Sequence, residues 1–123
     1  LLESLEAENI KWGVVTNKTS RYTLPLMEAL GLAQRAACIV SGDSSPRPKP
    51  APDPLLLAST LTGTEASRCL YVGDDLRDMQ AARAAGMGAI AAAWGYLGDG
   101  LPLEEWGADI IIQSPADVFG LLR

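Results

Sequence analysis

The clearest chemical signal in the sequence is a cluster of aspartates directly after an apolar segment. CLYVG (69–73) is followed at once by Asp74, Asp75 and then Asp78, at the start of a predicted helix. A helix dipole stabilises carboxylates in its first turn, typically by about 0.3–1 kcal/mol each, but carboxylates also repel one another, so a cation is expected nearby. Because Mg²⁺ binds one or two carboxylates together with water and phosphate oxygens, the three aspartates are predicted metal ligands. The alternative is acidic capping of the helix, with Arg77 as the counter-charge.

A second candidate site follows the apolar segment WGVVT (12–16). Thr16 and Asn17 supply a hydroxyl and a carboxamide at a strand end, and backbone N–H groups of the next helix could bind an oxyanion there. Thr and Asn are equally typical of a plain helix N-cap. The segment by itself therefore leaves both interpretations open.

A single lysine, Lys49, lies in a proline-rich loop. Prolines alternate with other residues over 46–54, which predicts a stiff, extended segment. Such a loop could hold Lys49 at a fixed position, although a rigid linker with a solvated lysine would have the same sequence. Asp53 is predicted to cap the next helix, with Pro54 at its first position.

These residues would be positioned by a regular alternation of strands and helices. The predicted strands are 12–16, 37–41, 69–73, 88–94 and 109–113, and the predicted helices are 19–30, 54–62, 75–85, 101–106 and 115–122. Apolar strands separated by helices predict an α/β fold, a doubly wound parallel sheet covered on both faces. Functional groups of such sheets lie at the C-terminal ends of the strands, where the candidates above are found.

Composition limits the class of protein. The chain has 123 residues, 48% of them hydrophobic and 20% charged, which predicts one globular domain. A net charge of −5 argues against a nucleic-acid partner, and no apolar stretch is long enough for a membrane span. There is no histidine, so histidine-based catalysis and metal binding are excluded within the chain. Cys38 and Cys69 lie in apolar segments and are expected to be buried and reduced, as in a cytoplasmic protein.

Taken in order, three segments resemble motifs two, three and four of the haloacid dehalogenase superfamily: VVTNK, RPKPAPDP and YVGDDLRDMQAARAAGM. The resemblance is closest to the phosphoglycolate phosphatase branch. WGVVTNK, GDDLRDMQAAR, WGY (94–96) and WGAD (106–109) are also similar to bacterial N-acetylmuramic acid 6-phosphate phosphatases. The resemblance implies that residues 1–123 form part of a Rossmann-like phosphatase core.

The resemblance also implies roles. Thr16, with Asn17, would bind the transferring phosphoryl group, and Lys49 would neutralise its charge. Asp74 would bind Mg²⁺, and Asp78 would orient a metal-bound water or Lys49. The implied activity is Mg²⁺-dependent hydrolysis of small phosphorylated metabolites.

One part of the family pattern does not occur in the 123 residues. The family's first motif, DxDGT, carries the aspartate nucleophile, and the best local match, Asp99-Gly100, lacks the second aspartate. In the family the nucleophile strand lies between the strands that end here at Thr16 and Asp74, and a substrate-selecting cap follows it. We therefore expect a fragment that lacks this strand and the cap, is inactive alone, and self-associates or re-pairs its strands. LLESLEAENI (1–10), an apparent helix without a capping residue, favours the same interpretation.

Two other classes remain as alternatives. A receiver-like regulatory module also combines an aspartate pair, a threonine and a lysine on such a sheet, but with the acidic pair first along the chain. A non-catalytic interaction fragment is the other. Within the superfamily, phosphonatase or dehalogenase chemistry stays open, because the first motif and the cap decide it.

Overall fold

The computed structural model describes residues 1–94 and 102–122. Helices and short strands alternate through these residues. The elements are α1 (Leu2–Ala7), β1 (Val14–Val15), α2 (Ser20–Ala29), β2 (Ile39–Val40), α3 (Asp53–Thr62), β3 (Leu70–Gly73), α4 (Leu76–Ala85), β4 (Gly88–Ala92), β5 (Ile110–Ile112) and α5 (Ala116–Leu121). Two short 3₁₀ turns lie at Ala66–Arg68 and Leu103–Glu105. Tyr96 and Asp99-Gly100, both used in the sequence interpretation, are outside the described residues.

The strands pair in parallel but form two sheets. One contains β1 and β2, and the other has the order β3-β4-β5. The predicted α/β architecture with parallel strands is confirmed. Among the described strands, no backbone ladder joins β1 to β3, so the sheet is divided at the place where the resemblance locates the nucleophile strand.

Side chains, and not backbone, connect the two sheets. The Tyr71 hydroxyl on β3 donates a hydrogen bond to the Val15 carbonyl on β1, with 2.9 Å between the oxygens. The Lys49 ammonium lies 3.4 Å from the same carbonyl oxygen. The carbonyl at the end of β1, which has no strand partner on this side among the described residues, therefore accepts hydrogen bonds from side chains instead.

The main core lies between α3, α4 and the three-stranded sheet. Leu55 of α3 and Met79 of α4 are fully buried. The other buried residues of α4 and β4 here are small, and include Ala81, Ala82, Ala85, Ala89 and Ala91. Small side chains let α4 lie close to the sheet, which fixes where its first turn meets the end of β3. Gly86 ends α4 in the left-handed conformation (φ 79°), as expected of a C-cap glycine.

Three local predictions were wrong. The proline-rich loop is not extended: it folds into turns, with the Ala51 N–H donating to the Pro48 carbonyl and a cis Lys49–Pro50 peptide. Asp53 does not cap α3, because its carboxylate pairs with Arg47, 2.9 Å away. In place of a helix over 101–106, the described part forms only the 3₁₀ turn at Leu103–Glu105.

Both cysteines are free thiols. Cys38 is buried, as predicted, whereas Cys69 is only partly buried. Burial raises the pKa of both thiols above the ordinary value, which disfavours the reactive thiolate. Among the described residues, no helix has the length and apolar character required to cross a membrane.

Candidate active site

The ends of β1 and β3 open onto one cavity of about 350 Å³. Thr16, Lys49 and Asp74 all line it, although 25 to 33 residues separate each from the next along the chain. Parallel strands place their C-terminal ends at one edge of a sheet, which explains how Thr16 and Asp74 come together. Lys49 reaches the same cavity from the proline-rich loop that follows β2.

The Lys49 ammonium is held by three oxygen atoms. It lies 2.6 Å from Asp78 Oδ1, 2.8 Å from the Tyr71 hydroxyl and 3.4 Å from the Val15 carbonyl. The side chains of Lys49 and Asp78 are only 9% and 8% exposed, so this is a buried ion pair. An ammonium has three N–H donors, and here each has an acceptor. A phosphoryl oxygen would therefore bind Lys49 by replacing an existing partner, and the Val15 carbonyl is the most distant.

Tyr71 is a neutral hydrogen-bonding group in this arrangement. Burial, and after it the negative charge of Asp78, raise the pKa of the Tyr71 phenol above its ordinary range. The phenol keeps its proton, donates it to the Val15 carbonyl and accepts from Lys49. Tyr71 thus orients the lysine without adding charge to the cavity.

Asn17 holds the backbone of Lys49. Its Nδ2 donates to the Lys49 carbonyl at 3.1 Å, and its Oδ1 accepts from the Lys49 N–H at 3.0 Å. Both polar atoms of the carboxamide are used, so the side chain fixes the lysine loop against the end of β1. This geometry supports a positioning role for Asn17; direct contact with a phosphoryl group stays a prediction.

Asp78 has a second task at the start of α4. Its Oδ2 accepts hydrogen bonds from the Asp74 and Asp75 N–H groups, at 3.1 and 3.2 Å. Gly73 makes this possible, because a Cβ there would lie 2.3–2.5 Å from side-chain atoms of Asp78. The glycine before the aspartates is therefore needed for the position of Asp78.

Asp75 is the N-cap of α4. Its carboxylate accepts from the Arg77 N–H at 2.9 Å and pairs with the Arg77 guanidinium. The Arg77 side-chain hydrogen bond, followed by the backbone one, lowers the pKa of Asp75 below its ordinary value. The alternative that the sequence left open, a capping aspartate with an arginine counter-charge, describes Asp75 in this structure.

Asp74 is the carboxylate available for a cation. Its side chain makes no hydrogen bond or ion pair with any residue that the structure describes, and it lines the cavity beside Thr16 and Lys49. The described residues contain no group of three carboxylates or thiols able to enclose a metal. Mg²⁺ does not require such a group, because it keeps several waters and takes one or two carboxylates. Asp74 fits that donor set, whereas Asp75 and Asp78 are engaged with protein groups.

A second cavity of about 290 Å³ shares part of this lining. Thr16, Lys49 and Asp74 border it as well, and Lys18 and Arg77 are added at its edge. The site therefore extends beyond the first cavity toward two further cationic side chains.

Sequence reasoning missed two residues of the site. Tyr71 lies inside an apolar strand, where an aromatic residue predicts core packing. Gly73 was assigned only to the end of that strand. The available signal was the order of residues: a tyrosine two positions before a strand-end glycine, followed by Asp-Asp, places a hydroxyl on the same strand as the carboxylates.

The family follows from comparison with known proteins. The model of the haloacid dehalogenase-like hydrolase family matches residues 1–92, three quarters of the chain. The chain therefore belongs to the haloacid dehalogenase-like hydrolase family.

Its relatives have two names. The chain is 45% identical over 120 residues to a phosphoglycolate phosphatase of Xanthomonas campestris, covering 97% of the chain and 54% of that protein. It is 42% identical over 122 residues to an N-acetylmuramic acid 6-phosphate phosphatase of Pseudomonas aeruginosa, covering 99% and 54%. The chain spans about half the length of these curated relatives.

Solved structures show the same fold. A predicted phosphoglycolate phosphatase of Haemophilus somnus superposes with a TM-score of 0.89 at 29% identity, covering 99% of this chain and 54% of that one. A hydrolase of Pseudomonas syringae gives 0.82 at 31% identity, covering 98% and 57%. The Rossmann-like core predicted from the sequence motifs is thereby confirmed.

Proposed function

We propose that this chain is the C-terminal part of the core of a Mg²⁺-dependent phosphatase that hydrolyses small phosphorylated metabolites. The observation that carries the proposal is the convergence of Thr16, Lys49 and Asp74 on one cavity at the strand ends. These groups supply a hydroxyl donor, a fixed positive charge and a free carboxylate, which are what an oxyanion and a divalent cation need.

Thr16 is suited to bind a phosphoryl oxygen. Its Oγ1 accepts a hydrogen bond from the Lys18 N–H at 3.1 Å, so the hydroxyl proton remains free to donate. Lys49, fixed through Asn17 and Asp78, would place its charge beside the same group. Charge that accumulates on a transferring phosphoryl group is stabilised best by groups already in position.

Asp74 would hold Mg²⁺, and the predicted further ligands are Asp75 and Asp78. When bound, the ion would supply positive charge to the phosphate oxygens. The two engaged carboxylates could contribute only after exchanging Arg77 or Lys49 for the cation. We therefore give Asp78 the role of orienting Lys49, the second of the two roles that the family motif implies.

The attacking group would be an aspartate of the family's first motif, forming an aspartyl-phosphate that water hydrolyses. No DxD sequence occurs in the 123 residues. We expect the 123-residue chain to bind phosphate without catalysing turnover.

The relatives favour small phosphorylated acids as substrates. Phosphoglycolate and N-acetylmuramic acid 6-phosphate, which name them, are both phosphate esters of carboxylic acids. We propose the same substrate class here, with a cytoplasmic location in keeping with the two free thiols and no nucleic-acid partner.

The test combines binding and turnover. Calorimetric titration of the 123-residue chain with inorganic phosphate and Mg²⁺ should show binding that Lys49→Ala abolishes and Lys11→Ala, which removes an exposed lysine bonded to Thr62, leaves intact. p-Nitrophenyl phosphate should not be hydrolysed. Absence of phosphate binding would refute the proposed site, and turnover that disappears in Lys49→Ala would show that the nucleophile is present in the chain after all.

A further inference from the structure

We infer that Lys18 recognises a second anionic group on the substrate, so that the site selects phosphate esters that also carry a carboxylate. The inference depends on the proposed function, because it assumes that the phosphate binds at Thr16 and Lys49. Beyond the substrate class already proposed, it names the residue that would produce the preference for a carboxylate.

The charges around the second cavity point to Lys18. Six charged residues line this cavity, and two ion pairs neutralise four of them. Lys49 pairs with Asp78, and Arg77 pairs with Asp75. The two that remain are Asp74 and Lys18.

The Lys18 ammonium makes no ion pair or hydrogen bond with any residue in the described part of the chain. Asp74, the other unpaired charge, is matched by the proposed cation. One positive charge is therefore left without a partner at the edge of a site that already provides for both phosphate and metal.

The backbone of Lys18 is fixed although its side chain is exposed. Its N–H donates to Thr16 Oγ1 at 3.1 Å, and its carbonyl accepts from the Gly42 N–H at 2.8 Å and from the Thr23 hydroxyl at 3.1 Å. Three hydrogen bonds thus hold the base of the side chain two residues from Thr16. A flexible ammonium on a fixed base can reach an anion within a few bonds of a phosphate bound at Thr16.

Such an anion would be a carboxylate on the alcohol part of the ester. A neutral alcohol part would leave Lys18 in water, with no gain in binding. A carboxylate would gain the attraction of an exposed ion pair, a modest effect that salt screens. Selectivity, and not overall affinity, is the property that Lys18 should control.

The experiment compares two ligands that share a phosphate and a two-carbon chain, 2-phosphoglycolate and ethyl phosphate. Their dissociation constants for the 123-residue chain are measured by calorimetry with Mg²⁺, and inorganic phosphate serves as the reference. We expect phosphoglycolate to bind about three- to fivefold more tightly than ethyl phosphate at low salt, as for one exposed ion pair, and to lose this preference at high salt.

Three variants identify the source of the preference. Lys18→Met should bring the ratio of the two constants to about one, whereas Lys18→Arg should keep it because it preserves the charge. Lys11→Met is the matched control, since it removes an exposed lysine that does not line the cavity, and it should keep the ratio. Thermal unfolding of each variant verifies that the chain is folded.

The possible failures differ from one another. An unchanged ratio in Lys18→Met, or no preference in the unmodified chain, would overturn the role of Lys18 while phosphate binding persists. If inorganic phosphate itself does not bind, the proposed function fails, and this inference fails with it.

Discussion

The buried pair of Lys49 and Asp78 is the central feature of the site at the level of single residues. Burying two charges is costly, and removing one partner of such a pair typically costs about 3–5 kcal/mol because the other charge is left unpaired. Here the cost is offset by acceptors for every ammonium proton and by two backbone donors to Asp78. The result is a lysine with little freedom to move.

Substitution of Asn17 should loosen this lysine. Asn17→Ala removes two hydrogen bonds to the Lys49 backbone, worth about 1–2 kcal/mol together, so phosphate binding should weaken by up to about five- to thirtyfold. Asn17→Asp should weaken it as well, because a carboxylate oxygen would face the Lys49 carbonyl. Calorimetry with inorganic phosphate measures the effect. Gln80→Ala, at an exposed position on α4, is the control, and equal binding by Asn17→Ala and the unmodified chain would contradict the positioning role.

Gly73 should not tolerate a side chain. A Cβ at this position would overlap the Asp78 carboxylate, so Gly73→Ala should lower the free energy of unfolding by about 1–3 kcal/mol, as overpacking usually does. Gly120→Ala is the contrasting change: its Cβ would meet no atom within 4 Å in α5, and alanine favours a helix. Urea unfolding measures the stability of each variant against the unmodified chain. A Gly73→Ala chain as stable as the unmodified one would show that Asp78 moves aside at no cost.

Residue types and spacing predicted the chemically obvious members of the site. Thr16, Lys49 and Asp74 could be named because their side chains suit phosphate and metal binding and because they fall, in order, in segments that resemble three motifs of one family. Taken singly, each had a purely structural alternative. The division of work among the aspartates could not be predicted, because it depends on which carboxylate a distant lysine reaches. Asp78 reaches Lys49 across 29 residues of chain, and Asp75, three positions earlier, does not.

At the level of elements, the start of α4 shows how one turn serves both folding and chemistry. Asp75 and Asp78 form a capping box: Asp75 accepts the Arg77 N–H in the first turn, and Asp78 accepts the N–H of Asp75, the N-cap residue. The free N–H groups at the start of α4 are capped by carboxylates. Because α4 begins directly after β3, this capping places the carboxylates at the end of β3. Acidic capping and site formation are therefore the same arrangement, and not competing explanations of the sequence.

The Asp75 cap should make stability depend on acid. Its pKa is lowered in the folded chain, so the stabilisation is present above the unfolded value of about 3.9 and is lost as pH falls through the folded value. The free energy of unfolding of the native chain should therefore exceed that of Asp75→Asn near pH 6, and the two should converge in strong acid. The difference should stay below about 1 kcal/mol because the pair with Arg77 is exposed. Chemical denaturation at several pH values gives both curves, and a constant difference would exclude this role.

Element positions were predictable where the signal is local. Apolar segments with flanking turn residues located all five described strands, and glycine located the end of α4. The proline-rich loop was not predictable, because its turns depend on contacts with residues remote in sequence. Asn17 binds the loop at Lys49, and Arg47 takes Asp53 away from the helix cap. Proline restricts the backbone angles of single residues, but these contacts decide the course of the loop.

For the molecule as a whole, the important feature is the divided sheet. β1 and β3 both have an edge without a backbone partner among the described residues, and free strand edges favour pairing with another chain. Among the described residues, the hydrogen bonds that reach the end of β1 across this gap come from the side chains of Tyr71 and Lys49. The two sheets thus meet at the candidate site.

We predict that the 123-residue chain self-associates through these edges. Size-exclusion chromatography with light scattering, over about a hundredfold range of concentration, should show a mass that rises with concentration, as mass action requires. Introducing Pro at Val72 should reduce association, because proline on an edge removes a donor. A monomer that melts cooperatively at every concentration would contradict the prediction.

The Tyr71 phenol links the two sheets through its proton, so removing that proton in alkali should separate them. Tyr71 keeps its proton beyond the ordinary value of about 10, so its bond to Val15 persists as pH rises and breaks only when the phenolate forms. Spectrophotometric titration in base should therefore show one late, sigmoidal appearance of phenolate absorbance that coincides with loss of tertiary structure. In Tyr71→Phe that late step should be absent, and the two halves of the chain should part more readily in neutral solution.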